Sequence, residues 1–217
     1  MKNKETRYLN IADVELRAET TTEGVTVMSG YAARFNSWSE DLGGFRERIR
    51  PGAFAKALMT SDVRALYNHD SNNLPLGRTP KTLRLSEDTK GLRFEADLPD
   101  TQFAKDLTIS IQRKDITGNS FSFTVEDAGD EWREKDGITS RTINEVKELF
   151  DIGPVVFPAY DSPKVQVSKR SLEKLEQHKS SVTAGGDNNQ GVTAHDEQRN
   201  LQIDILTLEY AEDLQNG

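Results

Sequence analysis

The sequence predicts a mixed, strand-dominated α+β domain, an antiparallel barrel or sandwich with flanking helices. Three observations carry this expectation. Period-two alternation of apolar and polar residues recurs along most of the chain. Three short stretches show helical spacing instead, and strands and helices follow no regular βαβ order.

In chain order, Val25, Val27, Tyr31, Ala33 and Phe35 share one parity, interrupted at Ser29, and predict a strand with that set inward. Pro51 stands where a first helical residue belongs, and Phe54 and Leu58 follow at i, i+4 spacing. Leu83 and Leu85 begin a hairpin partner for Leu92, Phe94, Ala96 and Leu98, with SEDTKG as the turn. A second helix is expected from about Thr101 to Gln112, capped by Asp100 or Thr101, with Phe103, Leu107 and Ile111 inward. Phe121, Phe123 and Val125 alternate with Ser120, Ser122 and Thr124. Two further strands are expected over 138–146 and 149–157, the latter at an edge or broken at Pro154. A charged third helix is expected over 168–179.

Charge divides the chain. Its 217 residues carry a net charge of −8, and most of that lies after Lys179. The segment SSVTAGGDNNQGVTA reads as a flexible linker. The expected organisation is therefore a domain over 1–179 and a flexible acidic tail over 180–217. Leu201, Ile205 and Leu208 in that tail form a narrow apolar stripe, expected to be a short amphipathic, partner-binding helix. The absence of cysteine excludes disulfides, thiolate metal sites and a cysteine nucleophile. Apolar runs are too short to span a membrane, the first residues show no secretory signal, and no basic stripe points to nucleic acid. No metal-ligand spacing or phosphate-cradling loop stands out, so no cofactor is expected.

His69 follows a short apolar run in ALYNHD, where a histidine can serve as general base or as an ordinary loop residue. Ser120 opens the strand in TGNSFSF, as a nucleophile or as part of a polar outer face. Asp151 lies inside the apolar run ELFDIGPVVF, where a carboxylate needs a partner or an outlet to solvent. Asp70 and Glu148 are rival acids. Such a trio is common in proteins and is weak evidence when taken alone.

The order FRERIRPGAF, ALYNHD, LPLGRT, KGLRFEADLP, TGNSFSF and ELFDIGPVVFPAY, over about residues 10–168, resembles the caudovirus prohead proteases of the HK97 type. The resemblance implies a serine endopeptidase with the fold of herpesvirus assemblins, a β-barrel core ringed by helices. It implies action inside the immature procapsid, assembled in the bacterial host cytoplasm. The substrates would be the chain itself and a scaffold that is separate or fused to the major capsid protein. Homo-oligomers are compatible with it. It assigns Ser120 as nucleophile, His69 as base and Asp151 as the acid. Two positions depart from the family pattern. Ser122 stands where glycine is common, and Asp151 where glutamate is common. Herpesvirus enzymes give the acid's role to a second histidine, but His178 and His195 lie in a charged helix end and in the tail. Oxyanion donors stay open between amides near Gly118–Phe121 and the Gly77-Arg78 loop. A non-catalytic capsid-assembly module of the same fold is the competing expectation.

Overall fold

Within residues 3–9, 14–156 and 167–184, which the computed structural model describes, the chain forms twelve strands and three α-helices. The strands are β1 (Glu5–Leu9), β2 (Arg17–Thr20), β3 (Thr26–Arg34), β4 (Arg46–Ile49), β5 (Arg64–Ala65), β6 (Gly77–Arg78), β7 (Leu83–Glu87), β8 (Gly91–Asp97), β9 (Gly118–Thr124), β10 (Asp130–Lys135), β11 (Ile138–Ile143) and β12 (Glu148–Val155). The helices are α1 (Ala55–Thr60), α2 (Gln102–Gln112) and α3 (Lys169–Ala184). Residues 1–178 form one compact unit, and 179–217 a second, of which only 179–184 are described. The apolar tail stripe at Leu201, Ile205 and Leu208 and most of the acidic tail lie outside the described residues.

The strands make three sheets, ordered β1-β9-β12-β5-β6, β10-β11-β4 and β2-β3-β8-β7. Most neighbours are antiparallel, but β11 with β4 and β12 with β5 are parallel, a departure from the expected arrangement. On β8, Leu92, Phe94 and Ala96 are fully buried, as their alternation predicts. Burying such a Leu or Phe side chain contributes about 1.5–3 kcal/mol.

On β3 the expected inward set is only half right. Val25 is exposed while Met28 is fully buried. The pairing of β3 with β8 shifts register between Tyr31 and Ala33. The extra residue of this bulge reverses the parity, so even positions face the core before it and odd positions after it.

The helices begin where capping dictates. Thr101 accepts a hydrogen bond from the Ala104 amide at 3.3 Å and opens α2. Leu107 and Ile111 are buried as expected, but Phe103 is 41% exposed and lies edge-on to Tyr67, while Ala104 takes the inward place. Helix α1 starts after a turn over 51–54, not at Pro51. Helix α3 runs five residues past the expected boundary at Lys179. No described helix is long and apolar enough to cross a membrane.

Strand β12 is an inner strand, not an edge. Pro154 is nevertheless accommodated, because β5 pairs only with Asp151 and Ile152 and leaves that side of Pro154 free of a ladder. Gly153 has its own reason. A Cβ there would meet the Leu66 carbonyl oxygen at 1.8 Å, so only glycine lets the chain before His69 pass so close to β12.

Candidate active site

Strand β9 is the platform. Its Phe121 and Phe123 fill the core, and on the other face Ser120 and Ser122 are also fully buried. This corrects the alternative of a solvent-facing polar side for Ser120. Tyr8 of β1 and Gly153 of β12 flank Ser120 in register, and the groups that meet the two hydroxyls are the His69 ring, the Arg7 carbonyl and Thr6.

Strand β12 brings the acid. Its register against β9 skips Phe150, so that Leu149 pairs with Phe123 and Asp151 with Ser122. The bulge turns Asp151 onto the serine face while Leu149 and Ile152 both stay in the core. The histidine arrives on a tight turn, Tyr67–His69, in which Asn68 and His69 have φ of 51° and 57°. Non-glycine residues rarely adopt this left-handed conformation, and surrounding structure must hold them there. Part of that hold is the Val156 amide, which donates to the Asn68 side-chain oxygen at 3.0 Å.

His69, Ser120 and Asp151 converge. The Nδ1 of His69 contacts Asp151 Oδ1, and its Nε2 lies 2.5 Å from Ser120 Oγ. Ser122 Oγ approaches the opposite ring nitrogen, Nδ1, at 3.3 Å and also meets Thr6 Oγ1. Asp70 caps its own loop, accepting from Asn72 and Asn73, and Glu148 is exposed on the end of β12. The Ser120 hydroxyl also reaches the Arg7 carbonyl oxygen at 2.8 Å, so one proton has two acceptors. Burial pushes the Asp151 carboxyl up. The hydrogen bonds and charges of His69 and Lys4 outweigh it and hold the group below its ordinary value.

Neither expected oxyanion loop is free at Ser120. Strand β9 is paired on both sides, so the amides of Gly118–Phe121 lie in the ladders. Strand β6 lies three strand spacings away, roughly 14 Å, at the far edge of the sheet. There the Arg78 amide donates to Thr82 and its guanidinium to Asp62. Among the described residues no group of three or more His, Asp or Glu is placed to hold a metal ion.

Sequence reasoning missed β1 altogether. Lys4, just ahead of it, donates to Asp151 Oδ2 at 2.9 Å. Glu5, Thr6 and Arg7 are all buried. Arg7 and the fully buried Arg141 bind Glu5 and Glu47, and Arg141 also binds Asp130. Ser171 of α3 and Ser168 just before it donate to Glu5, and Arg170 and Lys174 of α3 to Asp130. A strand whose buried side chains are charged has no hydropathy signal, because it is the ion pairs that permit the burial.

Comparison with known proteins agrees with the sequence resemblance. No curated protein matches the chain. Among solved structures, the bacteriophage T4 capsid assembly protease, gp21, is similar at 10% identity and a TM-score of 0.38, covering 71% of this chain and 99% of that one. The family profile of the caudovirus prohead serine proteases matches residues 12–178, most of the chain. The chain therefore belongs to the caudovirus prohead serine proteases.

Proposed function

We propose that this chain is a prohead-maturation serine endopeptidase in which Ser120 is the nucleophile, His69 the general base and Asp151 the orienting acid. The observation that carries the reading is the placement of His69, with Nε2 at Ser120 and Nδ1 at Asp151. In the first step Nε2 takes the hydroxyl proton as Oγ attacks a peptide carbonyl, and Asp151 stabilises the imidazolium. His69 then returns the proton to the leaving amine, and water repeats the sequence on the acyl-enzyme. Ser122 is the weaker candidate, because Nδ1, the nitrogen it approaches, is engaged by Asp151. Attack requires the Ser120 proton to point at His69 rather than at the Arg7 carbonyl. It also requires the buried hydroxyl to be uncovered.

The substrates in this reading are a scaffold, separate or fused to the major capsid protein, and the chain itself, inside the procapsid in the host cytoplasm. The three sheets are the walls of one assemblin-like barrel, and the parallel bridge between Phe35 and Ile49, which ties the end of β3 to β4, supports that closure. The tail over 180–217 binds a capsid or scaffold partner and is removed by cutting in the linker.

Co-expression with the cognate capsid and scaffold proteins tests this. Wild type should yield shortened products by intact mass, and Ser120→Ala should leave every chain full length. Equal masses in the two preparations would transfer the chain to the non-catalytic assembly module.

A further inference from the structure

We propose that Lys4 is a positioning residue of this site. By pairing with the outer oxygen of Asp151, it keeps that carboxylate charged and aimed at Nδ1 while His69 is neutral. The inference rests on the triad reading above and concerns a residue ahead of the segment that matches the family, which begins at residue 12.

The argument is one of charge balance. A general base must be neutral before it acts, with Nε2 open to the Ser120 proton. In that state Asp151 is a buried carboxylate, and its histidine partner supplies a hydrogen bond but no charge. An uncompensated buried carboxylate is unstable. It can recover by driving a proton onto the imidazole, which ends its use as a base, or by taking the proton itself, which ends its use as an acceptor. A fixed cation removes both outcomes.

Lys4 is that cation. Its Nζ lies 2.9 Å from Asp151 Oδ2, the oxygen His69 does not use. The other groups around the pair do not substitute for it. Arg64 of β5 stands beside Asp151 in register, but its guanidinium turns to Asp62 at 3.0 Å. Ser122 of β9 is neutral. On the imidazole side stand Ser120, Ser122 and the edge-on ring of Tyr8, whose phenol burial pushes up, away from ionisation.

A surface lysine pair contributes little and is easily exchanged. This one differs on three counts. Its partner carboxylate is 4% exposed, its ammonium also lies 5.5 Å from the Phe150 ring centroid, and the strand it precedes is fixed. Arg7 on that strand is locked by Glu5 and Glu47 and presents its carbonyl oxygen to Ser120. The N-terminal strand thus touches the nucleophile and delivers the counter-charge to the acid.

The test uses the full chain with 15N-imidazole histidine, as wild type, Lys4→Met and Lys4→Arg, and a small fluorophosphonate as probe. Labelling forms a bond from Ser120 Oγ to phosphorus, expels fluoride and passes the hydroxyl proton to His69, so its rate follows the neutral imidazole. Mass spectrometry reads the rate from about pH 5 to about pH 9. Lys4→Met should move the acidic limb up by about one pH unit, with about tenfold slower labelling on that limb and little change on the alkaline plateau. The His69 nitrogen shifts should show the charged ring persisting to correspondingly higher pH, and Lys4→Arg should restore both readings. Superimposable profiles, or a loss equal at every pH that arginine does not rescue, would overturn the proposal. Wild type that is never labelled, or is labelled equally in Ser120→Ala, sinks the protease reading instead. The His69 titration in Lys4→Met then still decides the role of Lys4.

Discussion

Strands β8 and β9 carry the same kind of pattern and have opposite fates. Each alternates large apolar residues with polar ones, and each buries its apolar face completely. On β8 the polar face, Arg93, Glu95 and Asp97, stays near solvent, where Arg84 pairs with Asp97 at 2.7 Å. On β9 the polar face is sealed by β1, β12 and the His69 turn. The same period-two signal therefore runs along a solvent face on β8 and along the proposed active site on β9. The difference lies in what the chain lays over each face, and the dielectric changes with it: an interaction worth little on β8 becomes strong on β9.

The largest separation of the two strands is expected in activity. Ser120→Ala should lower proteolysis by at least about a thousandfold, measured on the co-expressed substrate. Its stability should fall by about 1–2 kcal/mol in denaturant unfolding, because the buried Arg7 carbonyl loses a donor. Ser86→Ala on β7, beside β8, should change neither measurably.

Next comes the charged network that anchors β1. Arg141→Met should destabilise the protein by about 3–5 kcal/mol, since Glu5, Glu47 and Asp130 lose a fully buried partner. Arg84→Ala on the solvent face should cost less than about 1 kcal/mol. Comparable losses in a urea titration would erase the distinction between the faces.

Acid should act on the same network. Burial raises the Glu5 carboxyl, but Arg7, Arg141 and the hydrogen bonds from Arg141 and Ser171 bring it down to about 2. Because the folded value lies below the unfolded one, the stabilisation is fully present above the ordinary carboxyl range. It fades as pH falls from about 4.5 toward about 2, and amounts to something on the order of 3 kcal/mol. Unfolding followed by fluorescence across that window should lose its steepness in Glu5→Gln.

The smallest expected effect sharpens the nucleophile assignment. Ser122→Ala should retain proteolysis within about tenfold of wild type, because its oxygen meets Nδ1 and Thr6 rather than Nε2. Loss as complete as in Ser120→Ala would move the nucleophile two residues along β9.

The apolar sets of β8 and β9, and Leu107 and Ile111 but not Phe103 of α2, can be read directly from spacing, because burial of Leu92, Phe94, Phe121, Phe123, Leu107 and Ile111 follows from local geometry and the hydrophobic effect. The hairpin from β10 to β11 is also legible in the sequence, at the Asp136-Gly137 pair. Asp136 and Gly137 both adopt positive φ at its turn, as an Asp-Gly pair favours. His69, Ser120 and Asp151 were named from sequence order and family resemblance. Their convergence was not available there, since it depends on a bulge at Phe150, a left-handed turn at Asn68 and His69, and a glycine that lets Leu66 pass β12.

Residue type and period thus specified the apolar faces of β8 and β9, and the family resemblance named the side chains proposed for acyl transfer. Folding in three dimensions specified what covers the polar face of β9, which oxygen meets which ring nitrogen, and that Lys4 stands behind Asp151. The reason is physical. Hydrophobic patterning is a local property with a fixed period, whereas a buried charge is stable only beside a partner that the chain brings from far away in sequence, as Lys4 is brought across more than a hundred residues to Asp151.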